Sequence, residues 1–141
     1  MQIVDYIQEE VQRQGYDTLR VDGLWRVVWM LDAWREAQLC CERGIPLQIA
    51  LITTWGITIE PLRNKNGIRQ CDVVAETHSC PRPQDVQPLL AGWISNLFIM
   101  SPLEAYTKFE LIHPFVDGNG RVGKIILNWL SGTLEDPIFP P

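Results

Sequence analysis

Apolar residues recur along most of this chain at the three- and four-residue intervals of an α-helix, and only briefly with the alternation of a strand. Ile3, Val4, Ile7 and Val11 mark a short helix over residues 3–14, with Gly15 placed to stop it. Asp22 reads as the N-cap of a longer helix running to Arg43. Its apolar set includes Leu24, Trp25, Val28, Leu31 and Ala37, and Gly44-Ile45-Pro46 ends it. Residues 47–62 pull two ways. Their isoleucines and threonines favour strand, yet Ile52, Trp55, Ile59 and Leu62 share one helical face, and that periodicity predicts a helix. Residues 63–67 form a turn closing on Asn66-Gly67, a hairpin-type dipeptide, and a short extended piece follows to Thr77. Pro81 and Pro83 precede a helix over 85–99, with Pro88 tolerable only near its start. Ser101-Pro102-Leu103-Glu104 combines a capping serine, a proline in the first turn and a glutamate able to reach back, so a helix begins there and runs to about Ile112. A glycine-rich loop leads into a last apolar run, Val122 to Leu130, ending near Gly132. The pattern predicts a mainly α protein, six or so helices with one short β-hairpin, as a single domain over residues 1–141.

Composition narrows the function. Of 141 residues, 46% are hydrophobic and 21% charged, as in globular domains. Twelve basic against seventeen acidic residues give a net charge of −5, which argues against a broad nucleic-acid footprint. No apolar run approaches the eighteen or so residues of a membrane span, and Met1-Gln2-Ile3-Val4-Asp5 does not start a secretory signal, so a cytoplasmic protein without a membrane partner is expected. Cysteines 40, 41, 71 and 80 contain no CxxC pair and read as reduced, mostly packed thiols. His78 reads as a surface imidazole and Glu9-Glu10 as a solvated helix face. The six tryptophans read mostly as core, with Trp25 and Trp29 the pair to check for exposure.

The chemistry concentrates in His113-Pro114-Phe115-Val116-Asp117-Gly118-Asn119-Gly120-Arg121. This segment joins the end of one helix to the start of the next. Gly118 and Gly120 let backbone amides approach a ligand closely, and Asn119 suits a left-handed turn. Amides at a helix N-terminus make an anion nest aided by the helix dipole. Arg121 and Lys124 stand one turn apart, so both can face the same anion. Asp117 is a hard oxygen ligand of the kind Mg²⁺ accepts beside phosphates. His113 is the natural proton acceptor at neutral pH. A nest, two cations, a carboxylate and a histidine within twelve residues describe phosphoryl or nucleotidyl transfer to a hydroxyl.

The same residues resemble the signature of the Fic family, HxFx(D/E)GNGRxxR, at nearly every specified position. The resemblance implies a Fic-type helical bundle with a β-hairpin flap, a core over about 22–139 and helix for residues 47–62. It implies transfer of AMP from ATP to a Ser, Thr or Tyr hydroxyl of a target protein, with release of pyrophosphate. On that reading His113 deprotonates the hydroxyl and Asp117 holds Mg²⁺. Gly118, Asn119 and Gly120 cradle the phosphates through their amides, Arg121 and Lys124 bind them, and Phe115 anchors the loop. The flap, Arg69, Gln70, Cys71, Asp72, Val73 and Val74, would clamp the target by adding it as a strand.

Lys124 stands where the signature has its last arginine. Lysine keeps the charge and loses the planar fork that grips phosphate at two points. The related Doc branch transfers the γ-phosphate instead and usually carries lysine in place of the second motif glycine; this chain keeps Gly120, which favours AMP transfer. A catalytically silent nucleotide- or protein-binding module is the remaining alternative. Many relatives are inhibited by a helix bearing (S/T)xxxE(G/N). No such motif precedes Glu9-Glu10, so a separate antitoxin-like inhibitor or an open site is expected.

Overall fold

A computed structural model describes residues 1–141. It contains six α-helices: α1 (Ile3–Arg13), α2 (Val21–Glu42), α3 (Ile49–Ile59), α4 (Pro83–Ser95), α5 (Pro102–Ile112) and α6 (Asn119–Ser131), with a 3₁₀ turn over Leu97–Ile99. Helix α6 packs most extensively on α5 and also meets α2 and α3, while α1 lies along α2. One continuous core joins all six, built around Tyr6, Trp34, Trp55, Leu90, Phe109 and Ile125. No helix is long and apolar enough to cross a membrane.

The helix expected over 47–62 forms, shortened to α3. Ile52, Trp55 and Ile59 are buried as the periodicity required, but Leu62 lies beyond the helix and is 81% exposed. The threonines fit because Thr53 and Thr54 donate their hydroxyls back to Ile49 O and Ala50 O, satisfying them inside the helix. Ser101 caps α5 as predicted, accepting the Glu104 N–H at 3.1 Å. In α2 the expected face holds only in its second half. Ala37 is buried and Leu31 packs against the core, but Leu24, Trp25 and Val28 are exposed, and Met30, Ala33 and Trp34 enter the core instead. The helix also begins earlier than Asp22, on an N-cap at Arg20.

The predicted hairpin is absent. Gly67 does turn, with φ +77°, but its N–H donates to Asn64 O as the close of a helical turn, not of a strand pair. Residues 68–80 then run without regular structure. The Arg69 N–H is taken by Pro114 O, and the would-be return arm ends in Pro81 and Pro83, which have no N–H to donate. A lone two-stranded ribbon is marginal even with a full ladder, and this one has no ladder. The thiols are not buried either: Cys41 and Cys71 are exposed, Cys40 and Cys80 partly so, and all four are free.

Helix α3 approaches the loop after α5 at Gly56, where an added Cβ would collide with the ring of the fully buried Phe115. Gly56→Ala is expected to destabilise the fold by about 1–3 kcal/mol through overpacking. Urea unfolding of the two proteins measures this; an unchanged midpoint would show that Phe115 can move away freely.

Candidate active site

The turn from α5 to α6 takes six residues, and side chains satisfy much of its polar backbone. His113 caps α5 in the left-handed region at φ 52°, unusual for a residue with a Cβ. Arg69 holds that reversal. Its Nε donates to His113 O at 2.7 Å, Nη2 to Pro81 O at 2.7 Å and to Ile112 O at 3.4 Å, and Nη1 to Cys71 O at 3.0 Å. Asn119 braces the loop from the other side. It accepts the Phe115 N–H at 2.8 Å and donates to Phe115 O at 2.9 Å. Asn64 closes the third side, donating to Asp117 O at 2.8 Å and to Gly56 O at 2.9 Å and accepting from Asp117 N–H.

The loop so held opens on a polar cavity. His113, Asp117, Gly118, Asn119, Gly120 and Lys124 line it, and Gln14, Glu110, Val116 and Val74 complete its wall. Gly118 precedes α6 with φ 78°, and an added Cβ there would press on Ile59. The first amide of α6 with a backbone acceptor is Val122, bonded to Gly118 O. The N–H groups of Asn119, Gly120 and Arg121 therefore stand at the positive end of the helix without intrahelical partners. Asp117 accepts the Gly118 N–H on Oδ1 and Arg63 on Oδ2 at 3.0 Å. The pKa of His113 is lowered from its ordinary value by burial and by the nearby charges of His78 and Arg69, which keeps the imidazole neutral, with its lone pair free, at neutral pH.

The Fic/DOC family signature matches residues 50–131, more than half of the chain and inclusive of this loop and both its helices. The chain belongs to the Fic/DOC family. Among curated proteins it is 39% identical over 71 residues to a probable protein adenylyltransferase of Aquifex aeolicus, covering 44% of this chain and 22% of that protein. It is 35% identical over 71 residues to a protein adenylyltransferase Fic of Culex quinquefasciatus, covering 44% of this chain and 14% of that one. The match thus spans under a quarter of the length of either relative.

Within this Fic loop the two basic residues part company. Arg121 is fully buried and turns away from the cavity; Nη2 meets Glu60 at 3.0 Å and lies 3.7 Å from Asp117, while Nε and Nη1 make no hydrogen bond. Glu60, itself 1% exposed, also receives Arg26 at 2.8 Å. Lys124 faces the cavity and is paired at 3.2 Å with Glu10 of α1. Burial alone would lower the pKa of Lys124, but Glu10, Tyr106 and Glu110 together hold it above its ordinary value. Glu10 is therefore no part of a solvated face; it is completely buried, and Gln14 donates to the same oxygen at 2.8 Å. Of the predicted flap, Arg69 is buried under the loop and offers nothing to a target, Gln70, Cys71 and Asp72 are exposed, Val73 is half-buried, and only Val74 reaches the cavity. Asn128, one turn past Lys124, is a fully buried hub bonded to Tyr6, Lys124 O, Thr133 and Ile138, away from any nucleotide position.

Glu110 was not singled out by its sequence context, since one glutamate on a predicted helix looks like surface. It lies one turn before His113, in the wall of the cavity, and its pKa is pushed up to about 7 by burial, against the pull of Lys124 and with the push of Glu10. The folded protein thus holds this proton more tightly than the unfolded chain does. The stability gained is complete below the unfolded value of 4.5 and is lost as pH rises through about 7. Glu110→Gln removes the titrating group. Urea unfolding at about pH 5 and about pH 8 is expected to show wild type losing stability across that interval, and Glu110→Gln losing measurably less. Equal losses would place the carboxyl in contact with solvent.

Proposed function

We propose that this protein is an adenylyltransferase that moves AMP from ATP to a hydroxyl side chain (Ser, Thr or Tyr) of a target protein and releases pyrophosphate. The observation that carries the reading is that His113 lines one polar cavity together with Asn119 and Gly120, whose amides at the start of α6 have no intrahelical partner. A neutral imidazole there accepts the hydroxyl proton as oxygen attacks the α-phosphate. The amides of Asn119 and Gly120 stabilise charge on the phosphate oxygens, in a frame already held by Asn64, Asn119 and Arg69. Arg121 adds positive charge close to Gly118. The family membership and the printed names of the two relatives point the same way.

Mg²⁺ fits the donor set. Asp117 and Glu110 both line the cavity, and a hard cation that keeps phosphates and water among its ligands asks for little more than the loop carboxylate of Asp117. Arg63, which now holds one Asp117 oxygen, is more than half exposed and free to swing out. When bound, the ion would neutralise phosphate charge. The target would lie along residues 70–74, where exposed backbone is offered without a formed strand.

The test supplies ATP labelled at the α-phosphate and, separately, at the γ-phosphate, with Mg²⁺ and a cell lysate. Label on protein from the α-position is expected, falling by roughly 10²–10⁴-fold in His113→Ala. Label from the γ-position alone would make the protein a Doc-like kinase. Label from neither, with ATP still bound, would make it a binding module.

The Glu10–Lys124 pair also bears on control, because it occupies the one motif cation that faces the cavity. On this reading α1 restrains transfer from within the chain, in place of the separate inhibitor expected above. A charge-assisted contact of about 1.5–3 kcal/mol corresponds to roughly ten- to a hundredfold. Glu10→Gln is expected to raise α-label transfer by that order; transfer at or below the wild-type rate in a folded variant would return the control to a partner.

A further inference from the structure

The irregular segment that replaces the flap folds back over the active-site histidine, and it brings two metal-ligating side chains with it. One donor atom each from His78, Cys80 and His113 lies within 4.8 Å of the other two. Cys80 Sγ stands 3.8 Å from His78 Nε2, and the two imidazoles meet edge to face with centroids 5.7 Å apart. None of the three is fully exposed, and His113 Nδ1 is buried with no hydrogen-bond partner. Thr77 Oγ1 lies 3.3 Å from the other nitrogen of His78, which orients that ring and leaves Nε2 toward the thiol. Arg69 binds Cys71 O and Pro81 O at once, so both ends of this segment are tied to one guanidinium and Cys80 is held near the loop.

We propose that His78, Cys80 and His113 form a three-ligand site for a borderline-soft divalent cation of the Zn²⁺ type. The chemistry of the donors selects the ion. Two imidazoles and a thiolate suit Zn²⁺ and repel the all-oxygen preference of Mg²⁺, which keeps this site distinct from Asp117. In a tetrahedral site with bonds of about 2.0–2.3 Å, neighbouring ligand atoms stand about 3.3–3.6 Å apart, so the observed spacing closes by small side-chain rotations. Three protein ligands leave the fourth position to water or to a phosphate oxygen. A coordinated imidazole has no lone pair left to take a proton, so the occupied site silences His113. That last consequence rests on the transferase reading; the metal site does not.

The experiment titrates the full, reduced chain with Co²⁺ as an optical stand-in for Zn²⁺, followed by Zn²⁺ competition. One equivalent is expected, with a thiolate-to-cobalt charge-transfer band. Cys80→Ser should abolish the band, His78→Ala should weaken binding by at least about tenfold, and a Cys40→Ser/Cys41→Ser/Cys71→Ser variant should keep both. Circular dichroism confirms that each variant is folded. A band that survives in Cys80→Ser, or no band in folded wild type, overturns the proposal. In the labelling assay, Zn²⁺ should inhibit wild type and spare Cys80→Ser; equal inhibition of both overturns the silencing. Absence of transfer before any Zn²⁺ is added counts against the transferase reading alone, and the optical titration then decides the site by itself.

Discussion

The structure depends on one constraint: six residues must reverse the chain between two tightly packed helices without a sheet to satisfy them. Backbone N–H and C=O groups withdrawn from water cost dearly when unpaired. Here Arg69, Asn64 and Asn119 pair them, each from a different part of the chain and each buried. The loop's shape is therefore set by side chains whose polar groups are spent on its backbone. The left-handed turn at His113 survives because the carbonyl it redirects is bound by Arg69 and its neighbour Phe115 is sealed into the core.

The buried charges show a second division of labour. Glu60 links Arg26 of α2 to Arg121 of α6 at the end of α3, and Glu10 links α1 to Lys124. Buried ion pairs gain little net stability against well-packed apolar substitutes, because desolvation offsets most of their attraction. What they do supply is register. A cation with one buried carboxylate partner can sit in one rotation of its helix and no other. Arg121 and Lys124, so close in sequence, are steered by Glu60 and Glu10 to opposite tasks.

Much of this was legible in the residues. The helix at Ser101, the helix after the glycine-rich loop and the grouping of His113, Asp117 and the glycines followed from local rules of capping, periodicity and turn chemistry, and the anchor Phe115 followed from the Fic resemblance. What escaped was decided at long range. The burial of Glu10 is set by a residue 114 positions away, and nothing near it in sequence distinguishes it from half-buried Glu9. The first half of the α2 face was misread because Leu24, Trp25 and Val28 share a helical stripe that no other helix covers, and Trp25 stacks on Trp29 outside the core, the pair marked for exposure. The flap was misread because Asn66-Gly67 signals a turn without saying what the turn joins. Arg69 looked like a surface residue of that flap until the carbonyls it serves were brought to it.

Arg69 meets four carbonyl oxygens and no carboxylate. The hold on the loop is thus a cation among dipoles, at contact range and out of water, and dissolved salt has no ion pair there to screen. On the proposed reading, high ionic strength would strip a nucleotide's phosphates from the cavity long before it loosened the frame around it. Lysine could not inherit the position, since a single ammonium lacks the flat fork that reaches several acceptors at once. Arg69 thus makes the loop rigid without lending its charge to anything the cavity receives.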